Sequence, residues 1–99
     1  MKYYGEEALG LVETVGLVPA LDAADKMLKA ANVELISYEN IGSTLVTIMI
    51  KGDVAAVKSA VEAGAKAADA IGKLTAHNVM PRPLPAVGAI VSVHDIDSE

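Results

Sequence analysis

Residues 40–53 read N-I-G-S-T-L-V-T-I-M-I-K-G-D. Within them, Leu45 to Lys51 is rich in β-branched side chains, the composition of a strand. Just upstream, Glu34 to Glu39 (E-L-I-S-Y-E) alternates apolar and polar residues, the period of a second strand. The turn that joins the two as a hairpin needs Gly42, at a dihedral that only glycine reaches cheaply. Gly52-Asp53 then launches a helix, with Asp53 as a natural N-cap. A hairpin running straight into a helix therefore forms the middle of this chain.

The flanking segments complete the pattern. Val54, Val57, Val61, Gly64, Ala68 and Ile71 recur at helical spacing, with Lys58, Glu62, Lys66 and Asp69 on the polar side. Gly72 is placed as a C′ stop. Leu74 to Met80 reads as a last strand, which Pro81-Arg82-Pro83 ends because proline cannot continue a ladder. Before the hairpin, Ala8 to Thr14 (A-L-G-L-V-E-T) reads as a mostly buried strand, and Gly10 in its middle marks close approach by a neighbour. Gly16 breaks the chain, and Pro19 suits the first turn of a helix. Leu17, Leu21, Ala24, Leu28 and Ala31 form that helix's apolar stripe, with Asp22, Asp25, Lys26 and Lys29 on the other face. Asp22–Lys26 and Asp25–Lys29 are acid-before-base pairs one turn apart, each worth about 0.3 kcal/mol. Asn32 can end the helix.

The order is β-α-β-β-α-β followed by a tail. It predicts an α+β fold, a ferredoxin-like sandwich with its helices on one face of an antiparallel sheet. Ninety-nine residues make one domain spanning 1–99, with its core at about 7–83 and a short C-terminal extension at 84–99. Asp95 to Glu99 is an acidic end expected to fray.

Hydrophobic residues make up 53% of the chain, yet Phe and Trp are absent, so Ala, Val, Ile and Leu supply the apolar content. Such side chains let a helix sit close to a sheet. They also leave apolar surface that a subunit interface could bury, which favours an obligate oligomer over a compact Ala-rich monomer. The net charge of −5 comes with no basic cluster and no aromatic platform, which argues against nucleic acid. Without cysteine there are no disulfides and no thiolate metal sites, as suits a reducing cytoplasm. The opening M-K-Y-Y-G-E-E has no apolar signal core, and the longest apolar run, Leu45 to Ile50, is too short to span a bilayer.

Catalytic chemistry finds little to work with. Ser43 lies in a glycine turn with no base nearby and no G-x-S-x-G elbow. His77 and His94 have no ligand-type spacing to a second histidine or a carboxylate. I-G-S is too short for a phosphate loop, and K-G-D lacks the Walker pattern. No catalytic residue, metal or cofactor is expected. Arg82, the only arginine, sits between two prolines that hold the backbone extended. It is either an exposed, solvated side chain or a guanidinium suited to a partner's carbonyl-lined pocket. Lys29, near the end of the first helix, could equally be a helix-dipole partner.

Five segments together carry a family pattern: A-L-G-L-V-E-T at 8–14, A-A-D-K-M-L-K-A-A-N-V at 23–33, N-I-G-S-T at 40–44, K-G-D-V-A-A-V-K at 51–58 and M-P-R-P at 80–83. In order and spacing they resemble the hexameric single-domain shell proteins of bacterial microcompartments, and are most similar to the tiles of ethanolamine-, propanediol- and choline-utilising compartments. The resemblance implies a cyclic homo-hexamer that tiles with neighbouring hexamers and other shell subunits into facets enclosing enzymes in the cytoplasm. It implies that Ile41, Gly42 and Ser43 meet at the six-fold axis and line a narrow pore for small polar metabolites. It implies that Lys29, Asn32 and Arg82 form the hexamer–hexamer edge. The chain departs from the pattern at Thr44, where a second glycine is common, and at Asn40, where a basic residue is common. His77 stands one place before the expected histidine, with Asn78 in its slot, and Leu84 follows P-R-P where histidine is frequent.

Two other functions fit the same fold. A small-molecule-binding regulatory module would gather polar groups in a cleft at a subunit edge. An acyl-phosphate hydrolase would want an arginine in the loop at 13–19, which has none. Fold alone does not decide among them.

Overall fold

The computed structural model describes residues 3, 7–41, 44–94 and 96. The elements run β1 (Ala8–Val15), α1 (Leu17–Ala30), β2 (Val33–Ile41), β3 (Leu45–Gly52), α2 (Val54–Ile71), β4 (Lys73–Met80) and α3 (Pro85–Val93). The strands form one sheet in the order β2-β3-β1-β4, and every neighbouring pair is antiparallel. This is the ferredoxin-like arrangement, in which each βαβ unit places its second strand away from its first and the sheet interleaves.

One face of the sheet carries the main core. Val12, Val46, Ile48 and Ile50 point to α1 and α2 and pack with Ala20, Ala23, Met27, Val57, Ala60 and Val61, all buried. Two glycines set how close the layers come. A Cβ on Gly10 would lie 2.6 Å from Val61 Cγ2 and 2.8 Å from Val57 Cγ1, so β1 receives α2 only because the side chain is missing. A Cβ on Gly64 would lie 2.5 Å from Met27 Cγ, so the two helices touch there.

The inner face of α1 differs from the stripe expected from spacing. Pro19, Ala20, Ala23, Ala24 and Met27 are buried, whereas Leu17, Leu21 and Leu28 are 45%, 53% and 43% exposed. Alanines allow the closer packing against the sheet and α2, and that contact outweighs the larger burial the leucines would gain. The leucines are left outside, as a second apolar stripe. On α2 the expected stripe holds at Val57, Val61, Gly64 and Ala68, while Val54 and Ile71 at its ends are exposed. Asp53 occupies the N-cap position of α2 but makes no side-chain cap hydrogen bond. Gly72 stands at the C-cap in extended backbone rather than beyond it in a left-handed one, and its N–H donates to Ala68 O at 2.9 Å.

The helices also do not share one face. The extension after Pro83 forms α3 on the opposite side of the sheet, with Pro85 in its first turn. There Val91 packs with Tyr3, Leu9 and Ile36. A β-bulge in β2 prepares this contact. The register with β3 slips between Leu35 and Ser37, leaving Ile36 as an extra residue. Ile36 enters the α3 cluster, and the neighbouring Ser37 Oγ donates to His94 O at 2.6 Å. Ile96 N–H donates to Ile36 O at 2.7 Å, and His94 Nδ1 lies 3.2 Å from Glu39 Oε2.

Candidate assembly edge and pore turn

The candidate site residues fall to the two ends of the sheet's strands. At one end Ile41, Leu45, Val15 and Lys73 form a row across all four strands. β2 ends and β3 begins at this row. Gly42 and Ser43 lie outside the described residues, and of Ile41 the backbone alone is described. The shoulder of the turn is anchored, because Gly16 N–H donates to Thr44 O at 2.6 Å. Gly16 itself turns the chain from β1 into α1 with φ of 93°, so the start of α1 is tied to Thr44 at this end.

At the other end Val33, Gly52 and Ala8 form a row, and Met80 pairs with the adjacent Leu9. Lys29 in the last turn of α1, Asn32 before β2 and Arg82 after β4 all lie at this end, and all three are exposed. Asn32 and Arg82 follow from opposite edge strands, so they flank the sheet rather than touch. Strands of eight residues put roughly 25 Å between this end and the hairpin turn.

The local chemistry of the three residues differs. Lys29 Nζ meets Asp25 Oδ2 at 2.9 Å while its side chain stays 72% exposed. Lys26 Nζ meets Asp22 Oδ1 at the same distance, so both expected acid–base pairs form. The hydrogen bond and charge of Lys29 hold the Asp25 carboxyl below its ordinary value, with Lys26 adding a smaller push. Hydrogen bonding to Asp22 raises Lys26. Arg82 makes no ion pair with another described residue and stands clear between its two prolines. The chain bends at Pro81 and Arg82, and the exposed guanidinium has donors available to a partner.

Sequence reasoning missed Lys51. It is the polar end of β3, and its side chain is 8% exposed between Glu7 Oε1 at 3.1 Å and Glu34 Oε2 at 3.5 Å. Burial works against its charge. The hydrogen bonds and charges of Glu7 and Glu34 outweigh that and raise its pKa. The signal was present in the alternation of L-V-T-I-M-I-K, but the partners come from two other strand ends. His77 is exposed on β4.

Between α1 and α2 runs an open groove of about 500 Å³, floored by Ala30, Ala63, Ala67 and Ala70 and rimmed by Lys26, Lys29 and Lys66. No group of three or more metal-ligating side chains occurs among the described residues. Nor is any described helix long and apolar enough to cross a membrane.

The comparisons agree with this architecture. Residues 8–83 match the model of the BMC domain, and the chain belongs to that family. It is 58% identical over 78 residues to the bacterial microcompartment shell protein PduA of Citrobacter freundii, covering 79% of this chain and 84% of that protein. It is 53% identical over 77 residues to the shell protein EutM of Salmonella typhimurium, covering 78% and 80%. A solved microcompartment protein from Desulfitobacterium hafniense superposes with a TM-score of 0.77 at 33% identity, over 95% of this chain. The present chain spans 51% of that longer one. The names of these relatives are those of shell and compartment proteins, not of enzymes.

Proposed function

We propose that this chain is a structural shell protein of a bacterial microcompartment, in which six copies close into a flat ring and rings tile into facets. In this reading Ile41, Gly42 and Ser43 of each copy meet at the ring axis and rim a pore. Lys29, Asn32 and Arg82 lie on the perimeter and join neighbouring rings, other shell subunits included. The facet encloses enzymes within the cytoplasm, and the pore passes small polar metabolites. The observation that supports the reading is that Lys29, Asn32 and Arg82 lie at the end of the sheet opposite Ile41 and Leu45, where β2 and β3 meet. A tile needs its hub and its rim on opposite sides of the protomer, held apart by a rigid element.

Two further features support it. Leu17, Val18, Leu21 and Leu28 on α1 leave apolar surface on the isolated protomer, of the kind a subunit interface covers. A ring of glycyl-seryl turns would offer backbone N–H groups and hydroxyls without fixed charge, which favours solutes that accept hydrogen bonds. Contacts between rings are individually weak, and repetition along the layer supplies the strength. Lys29→Ala and Arg82→Ala are expected to abolish sheets or tubes, seen by negative-stain imaging, while leaving the hexamer intact by light scattering. Loss of the hexamer itself would place these residues at the wrong interface.

A further inference from the structure

On the α3 side of the sheet, between Glu13 and Met80, lies a pocket of about 250 Å³. Leu11, Ala76 and Met80 form its apolar walls, Glu13, Thr47 and Asn78 supply polar groups, and the exposed His77 completes the lining. Glu13 belongs to β1, with Thr47 directly opposite on β3 and Ala76 opposite on β4. Its carboxylate is half-buried and held from both sides. Thr47 Oγ1 donates to Oε2 at 3.3 Å, and Thr75 Oγ1 donates to Oε1 at 2.8 Å.

The second of these hydrogen bonds depends on an irregularity of the sheet. The β1–β4 register slips between Glu13 and Thr14, which leaves Thr75 without a partner of its own on β1. That bulge lets Thr75 reach Glu13, whose backbone oxygen it also contacts at 3.1 Å. Bulges re-aim side chains and cluster beside functional sites. Here the bulge spends a ladder position to orient the one carboxylate that lines the pocket.

We propose that this pocket binds a small solute carrying a primary ammonium group. The ammonium would donate to the Glu13 carboxylate and to the Thr47 hydroxyl or the Asn78 side-chain carbonyl, and a short alkyl chain would lie along Leu11 and Met80. An anion is disfavoured by the carboxylate. A neutral solute of the same shape gives up the charge-assisted hydrogen bond. A divalent metal ion would need more oxygen ligands of negative charge than one carboxylate supplies. The volume is below that of pockets for drug-sized ligands, so the solute has only a few heavy atoms.

The test uses the full chain in its native assembly, titrated with n-butylammonium chloride and, separately, with butan-1-ol, and followed by NMR. The ammonium is expected to bind at least about tenfold tighter than the alcohol. Its shifts should centre on Thr47, Thr75 and Asn78, and Glu13→Gln should remove the difference. Equal binding of the two probes, shifts centred elsewhere, or a difference that survives in Glu13→Gln would overturn the assignment. So would an assembly that binds no amine and falls apart on Glu13→Gln, because Glu13 would then hold a basic side chain of a neighbouring copy. The comparison of the two probes on the unsubstituted protein decides the matter even if Glu13→Gln fails to fold.

Discussion

The two faces of the sheet are built to different standards. Toward α1 and α2 the core is closed: Val12, Met27, Ile50 and Val57 have no exposed surface, and glycines bring the layers to contact distance. Toward α3 the packing is partial. Leu9 and Ile36 are buried, but Ile90 and Val93 of α3 are 64% and 73% exposed, and polar groups take over at Glu13, Thr47 and Glu39. One face holds the closed core. The other leaves apolar and polar surface exposed.

The sharpest test of this contrast is a pair of truncations. Met27→Ala should destabilise the protein by about 3 kcal/mol in urea unfolding, because the cavity is enclosed on every side. Val91→Ala should cost only about 1 kcal/mol, because α3 can settle or open locally. Equal losses would mean that α3 is as much a part of the core as α1. Next in size is Gly10→Ala. The added methyl meets two β-branched side chains that cannot swing away, so a loss of about 2 kcal/mol is expected, read as a lower urea midpoint. An unchanged midpoint would show that α2 is free to shift off β1.

The smallest effect concerns Lys51 at the rim end. Its pKa is raised, so the stabilisation from Glu7 and Glu34 is fully present below the ordinary lysine value of 10.5 and is lost as pH climbs past it. Lys51→Met should therefore cost about 1 kcal/mol at neutral pH, with the gap from the unsubstituted protein narrowing as pH rises above that value. A gap that stays constant as pH rises past that value would assign the interaction to some other group.

Much of this architecture was legible in the chain. The β-branched run at 45–51, the glycine inside A-L-G-L-V-E-T and the acid–base spacing of α1 each lead to what is observed, because each depends on a local preference or a single close contact. The inner face of α1 was not legible. Leu17, Leu21 and Leu28 and the alanine–methionine set both repeat at helical spacing, and only the distance to the sheet chooses between them. The helix at 85–93 was hidden because P-A-V-G-A-I-V-S-V is short and apolar all round, so periodicity says nothing about its state. The bulges at Ile36 and Thr75 depend on cross-strand register, which no single strand encodes. Of the proposed functional residues, Lys29, Asn32 and Arg82 were reached through resemblance, and the sheet then set them at the end away from the hairpin turn. Glu13 gave no signal, since its partners come from β3 and β4.

The central claim is that one end of the sheet is a hub and the other a rim. Electron cryomicroscopy of the assembled protein tests it most directly. The account predicts a ring of six protomers with the β2–β3 hairpin turn at the axis and Arg82 at the perimeter. A stable monomer, or a ring with that turn on its outer edge, would contradict it.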